Sequence, residues 1–72
     1  MKKREIILDK LQKNHVIYRH CKSCVFSYVL AGGGRTVHKT RHSDNGNITE
    51  TKIGLQSALK QLTDHFSDIV HY

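Results

Sequence analysis

The sequence has no long apolar run. No stretch approaches the roughly 18 consecutive apolar residues that a bilayer-spanning helix needs, so no membrane partner is expected. Met1-Lys2-Lys3-Arg4 carries the charge of a secretory leader's first residues, but the apolar run behind it, Ile6-Ile7-Leu8, ends at Asp9 and is too short for export. The expectation is a cytoplasmic protein. Cysteine is equally scarce. Cys21 and Cys24 alone provide no disulfide framework for a small fold, so a hydrophobic core must hold it. At 72 residues and 38% hydrophobic content there is room for one thin core. A single domain over residues 1–72 follows, and a homodimer or another partner would stabilise it further.

Acidic residues are rare in the first forty-two positions. There ten Lys or Arg face only Glu5 and Asp9, a net charge of +8; from residue 43 onward two lysines face four acids, a net of −2. This asymmetry points to one surface for an anionic partner and another that is neutral or mildly acidic.

Periodicity organises the chain as an α+β domain of order α-β-β-β-α. After a basic N-terminal arm, residues 1–4, the spacing of Ile7 and Leu11 among strong helix formers predicts a helix over 5–14 that stops at Asn14. Residues 15–42 are expected to form three strands of an antiparallel sheet. The first contains Val16, Ile17 and Tyr18, and the second runs from Cys24 to Ala31 and is apolar enough to be central and buried on both faces. Gly32-Gly33-Gly34 supplies the hairpin into the third. There Arg35, Val37, Lys39 and Arg41 alternate with Thr36, His38, Thr40 and His42, and with neither face apolar the strand reads as an edge. Asn45-Gly46 marks a turn. Thr49 can then cap a long helix over 49–70, with Ile48 and Ile53 as a hydrophobic staple. Leu55, Leu59, Leu62, Phe66 and Ile69, with Val70 beside them, form the stripe that packs this helix on the sheet.

Several constellations bear on chemistry. Cys21-x2-Cys24 and His38-x3-His42 are separated by thirteen residues, close to the two-Cys, two-His zinc-finger spacing. A finger needs its histidines on one helix face. On a strand they stand roughly 13 Å apart at about 3.3 Å per residue, too far to share an ion, so no metal is expected; Cys21, Cys24, His38 and His42 are the ligands a metal would have to use. The six histidines, at positions 15, 20, 38, 42, 65 and 71, are tied by motif to no nucleophile or carboxylate, and the chain is not expected to be an enzyme or to carry a cofactor. Gly32-Gly33-Gly34-Arg35-Thr36 lacks the Gly-Lys-Ser/Thr ending of a phosphate-binding loop and reads as a turn.

The basic residues are the main functional signal. Arg35, Lys39 and Arg41, with Arg19 and Lys22 from neighbouring strands and the arm Lys2-Lys3-Arg4, can neutralise several phosphates, and Tyr18 or Tyr28 can stack on an unpaired base if exposed. The order of elements resembles, in topology alone, that of double-stranded RNA-binding domains and of small toxins sharing it, and its β-β-β-α part that of the arm-binding domains of phage integrases. The lysine cluster that opens the last helix of the RNA-binding domains is not matched, since Thr49-Glu50-Thr51-Lys52-Ile53 has one lysine beside an acid. The expected function is a small basic protein that binds DNA or RNA through a sheet face and the N-terminal arm. The alternative is a non-enzymatic inhibitor or adaptor, encoded by a phage or mobile element, that docks on an acidic surface of a host nucleic-acid-processing or defence complex.

Overall fold

A computed structural model describes residues 2–69. The fold is α+β, and its sheet has four strands where three were expected. Helix α1 (Lys3–Gln12) is followed by β1 (Ile17–Cys21), β2 (Cys24–Leu30), β3 (Thr36–Ser43), β4 (Ile48–Gly54), helix α2 (Leu55–Asp64) and a 3-10 turn at Phe66–Asp68. The strands form one antiparallel meander in the order β1-β2-β3-β4. Arg19 adds an isolated antiparallel bridge to Ile69 on the outer side of β1.

Lys3 and Arg4 belong to the first turn of α1, so they are not part of an arm; Met1 lies outside the described residues. The helix buries Ile7 and Leu11, as their spacing requires. It ends where Asn14 takes a positive φ of 61°. There Asn14 N–H donates to Leu11 C=O at 3.0 Å and His15 N–H to Lys10 C=O at 3.0 Å, the paired bonds of a Schellman stop.

The expected long C-terminal helix is divided in two. Residues 48–54 are a strand and α2 begins at Leu55, with Gly54 as its N-cap. The physical reason lies in Ile48, Thr49, Thr51 and Ile53, β-branched residues that favour an extended chain, and in the turn before them. Gly46 has φ 87°, Asn47 N–H donates to Asn45 Oδ1 at 3.2 Å and Ser43 N–H to Asn47 C=O at 3.0 Å, so the chain reverses and β4 pairs along β3. The strand β3 is therefore an inner strand, which corrects its reading as an edge. The apolar stripe still faces the core: Leu59, Leu62 and Ile69 are buried, and Leu55 and Phe66 pack against them. Val70 lies outside the described residues.

Register assigns the two faces of the sheet. Ile17↔Tyr28, Leu30↔Val37 and Val37↔Ile53 put these five side chains on the face covered by the helices, where Ile17, Tyr28 and Val37 join Ile7, Leu11, Ala58, Leu59 and Leu62 in the core. The opposite face carries Tyr18, His20, Val25, Val29, His38, Thr40, His42, Ile48, Glu50 and Lys52 and has no layer over it among the described residues. Val25 and Val29 are half-buried, so β2 is buried on one face and not on both.

Candidate functional site

The helices cover only part of their face of the sheet. Beyond Tyr28 and Val37 the register continues as Arg19↔Phe26, Phe26↔Arg41 and Arg41↔Thr49 with Lys39↔Thr51, all on the helix side. A hollow of about 150 Å³ opens there, lined by Phe26, Lys39, Arg41, Thr49, Thr51 and Ile53. Two-residue alternation in β3 puts Lys39 and Arg41 on this face with Val37, and the basic side of that strand is thus the continuation of its core side.

The arrangement centres on Phe26. The Arg19 guanidinium, from β1, lies 4.7 Å from its ring centroid, and the Lys39 ammonium, from β3, lies 4.6 Å from it. Both cations are attracted to the ring's negative face, and their aliphatic stems cover apolar surface. Their polar contacts among the described residues are all to neutral groups. Arg19 Nη1 donates to Tyr28 OH at 3.4 Å, Tyr28 OH donates to Gln61 Oε1 at 3.2 Å, and Lys39 Nζ donates to the same oxygen at 3.0 Å. Arg19 Nε is buried with no hydrogen-bond partner among the described residues. Among the described residues the ion pairs are Lys13–Asp9, His38–Glu50 and His65–Asp68. None of them neutralises Arg19, Lys39 or Arg41.

Two like charges sharing one ring without a carboxylate have an electrostatic consequence. Burial, and secondarily the Arg19 charge, hold the Lys39 ammonium below the ordinary lysine range. Burial pushes the Tyr28 phenol up from its usual value, against the opposing pull of Arg19. An anion in the hollow would relieve the repulsion between Arg19 and Lys39.

Not all of the expected basic residues gather here. Lys22 is exposed in the turn between β1 and β2. Arg35 sits in the turn at the opposite end of β3, where its carbonyl accepts from Leu55 N–H at 2.9 Å; six residues of strand put it roughly 20 Å from Arg41. Lys2 precedes α1, Lys3 Nζ lies 5.4 Å from the Phe66 ring centroid, and Arg4 donates to Gln56 Oε1 on α2. The first residues thus belong to the helical layer and not to the sheet. Tyr28 is fully buried, which removes it as a stacking platform, whereas Tyr18 is 36% exposed on the uncovered face.

Phe26 and Gln61 were not singled out from the sequence. Phe26 reads as one more core residue of an apolar strand, and the only clue was its i, i+2 relation to Tyr28. Gln61 carries no signal outside the folded chain.

The four residues of the zinc-like spacing are divided between the faces. Cys21 and Cys24 are cross-strand partners on the helix side, joined as a disulfide with their Cα atoms 5.1 Å apart, while His38 and His42 lie on the uncovered side with His38 Nδ1 3.2 Å from Glu50 Oε1. Among the described residues no group of three or more His, Cys, Asp or Glu is positioned to hold a metal ion. His71 lies outside those residues. No described helix is long and apolar enough to cross a membrane.

Comparison with protein family models, with curated proteins and with solved structures gave no match.

Proposed function

We propose that the chain is a nucleic-acid-binding module, not an enzyme, that receives phosphates in the hollow beside Phe26. The observation that carries this reading is the set of Arg19, Lys39 and Arg41 on one sheet face with no carboxylate partner among the described residues. Thr49 and Thr51 line the same hollow, and their hydroxyls add neutral donors for phosphate oxygens. With Phe26 flanked by Arg19 and Lys39, its ring is not free for base stacking. The contact is therefore to the backbone of DNA or RNA, with little choice of sequence.

Fluorescence anisotropy with single- and double-stranded DNA and RNA of mixed sequence, at two salt concentrations, tests this. Binding that weakens as salt rises, with a slope corresponding to about three phosphate contacts, is the expected result. No binding at low salt overturns the reading.

A second reading, a protein partner with an acidic surface, is favoured by the uncovered sheet face, where Tyr18 and Ile48 are exposed beside the half-buried Val25 and Val29. Large exposed apolar groups on one face mark protein contact more often than phosphate contact. Co-purification from lysate with and without nuclease separates the two readings, because a protein partner survives the nuclease and a nucleic acid does not.

A further inference from the structure

The two edges of the sheet are unlike. On the outer side of β1, Arg19 is bridged to Ile69. On the outer side of β4 nothing pairs among the described residues, and six of its seven residues are exposed. Its sequence, Ile48-Thr49-Glu50-Thr51-Lys52-Ile53-Gly54, contains no proline. An unprotected edge of this length is a template for another strand.

The ladder with β3 fixes which backbone groups point outward. Leu55 N–H bonds to Arg35 C=O at 2.9 Å, and Ser43 N–H to Asn47 C=O at 3.0 Å. Two-residue alternation between these bonds makes Thr49, Thr51 and Ile53 the residues that bond inward to β3. The N–H and C=O groups of Ile48, Glu50 and Lys52 and the N–H of Gly54 are left facing out, the Gly54 carbonyl being taken by the first turn of α2.

We propose that β4 pairs antiparallel with β4 of a second copy of this chain, with a two-fold axis at Thr51. In this register Glu50 stands opposite Lys52 of the second copy, and Lys52 opposite its Glu50. Both pairs fall at the hydrogen-bonded positions that the outward groups require, and both lie on one face with opposite charges adjacent. With Ile48 opposite Gly54 at each end, where only the Gly54 N–H is free to bond, the full ladder would have about six N–H···O bonds. A shift of the axis to Glu50 sets Glu50 against Glu50, and a shift to Lys52 sets Lys52 against Lys52. Charge therefore selects the Thr51 register. The occupant is a second copy because the edge is complementary to itself, and interfaces of this two-fold kind are self-complementary by construction.

The axis is perpendicular to the sheet, so both helical layers lie on one side of an eight-stranded sheet. Thr49 and Thr51 line each basic hollow, and the two hollows then meet across the axis as one groove with Arg19, Lys39 and Arg41 on both flanks. The pairing itself does not rest on the anion-binding reading, and its test makes no use of nucleic acid.

Sedimentation velocity of the whole chain over a concentration series is expected to show a reversible dimer. Glu50→Lys or Lys52→Glu alone places like charges opposite one another and raises the dissociation constant about tenfold or more, while the double reversal Glu50→Lys/Lys52→Glu restores it. Far-ultraviolet circular dichroism checks that each variant is folded. Thr51→Cys provides an independent readout, because position 51 meets its own copy at a non-hydrogen-bonded site with Cα atoms about 4.5 Å apart, within disulfide range. Mild oxidation is expected to link the two copies at position 51 and not in Thr49→Cys, where the residue opposite is Ile53. A monomer at every concentration overturns the proposal, as does a dimer indifferent to the single reversals. Failure of the double reversal to restore association overturns the register.

Discussion

The Lys39 ammonium donates a 3.0 Å hydrogen bond to the side-chain oxygen of Gln61, so a cation of the sheet is held by a neutral group on α2. The same oxygen accepts from Tyr28 OH. Replacing Gln61 by alanine leaves a phenol and an ammonium without their acceptor at the border of the core, which is expected to cost about 1–2 kcal/mol in urea or thermal unfolding. Gln61→Glu is expected to act oppositely on stability and binding. A carboxylate at that position neutralises Lys39, leaves stability unchanged or higher by up to ~1 kcal/mol, and weakens oligonucleotide binding about tenfold by occupying the charge the phosphate would meet.

The pH dependence follows from two opposed groups. Lys39 has its folded pKa below the unfolded 10.5. Protonation therefore disfavours the fold, and stability from this group rises as pH climbs through the depressed value toward 10.5. Tyr28 has its folded pKa above the unfolded 10.0, so its contribution is fully present below 10.0 and is lost as pH rises through the raised value. Thermal denaturation across the alkaline range is expected to show a gain that Lys39→Gln abolishes, followed by a loss that Tyr28→Phe abolishes. Ultraviolet titration should show a phenol ionising above the usual tyrosine value, a step that Tyr28→Phe removes.

Much of the packing was legible before folding was considered, because the spacing of Leu55, Leu59, Leu62, Phe66 and Ile69 carries it whether or not a single helix bears all five. The status of residues 48–54 was not. Thr49 followed by Glu50 satisfies the local rules for a helix start, and only pairing with β3, a non-local interaction, decides for a strand. That choice also turned β3 from an edge into an inner strand. In the candidate site Arg19, Lys39 and Arg41 were visible as charge, and two-residue alternation put the last two together. Their meeting with Phe26 depends on cross-strand register, which the sequence does not display, and Gln61 reaches them through the path of α2. Lys3 and Arg4 were read as part of a basic arm from their charge, whereas they open α1; their contacts with Phe66 and Gln56 depend on how the C-terminal segment packs, which the sequence does not display.

The turn between β2 and β3 separates glycines that are needed from one that is not. Gly33 and Gly34 have φ of 93° and 72°, which an L side chain adopts at a cost of about 1–2 kcal/mol. Nothing lies within 4 Å of a Cβ added at Gly32, whose φ is not positive. Gly33→Ala and Gly34→Ala are each expected to lower stability by about 1 kcal/mol or more. Gly32→Ala should be neutral or stabilising by up to ~1 kcal/mol through the unfolded chain. Chemical denaturation of the three variants checks the order.

The last prediction opposes two arginines of the same segment. Arg41 lines the hollow with Lys39 on the helix side of the sheet, whereas Arg35 lies in the turn at the far end of β3, roughly 20 Å along the strand. At a Debye length of about 8 Å in physiological salt, a phosphate in the hollow is screened from Arg35. Both arginines are exposed, so neither alanine substitution is expected to change stability by more than about 0.5 kcal/mol, and binding can be compared at equal fold. Arg41→Ala should weaken oligonucleotide binding across all sequences and reduce the slope of log affinity against log salt by about one, while Arg35→Ala leaves both nearly unchanged. Equal losses from the two substitutions would mean that affinity follows net charge and not the geometry around Phe26, because each removes the same single charge and only Arg41 stands at the hollow.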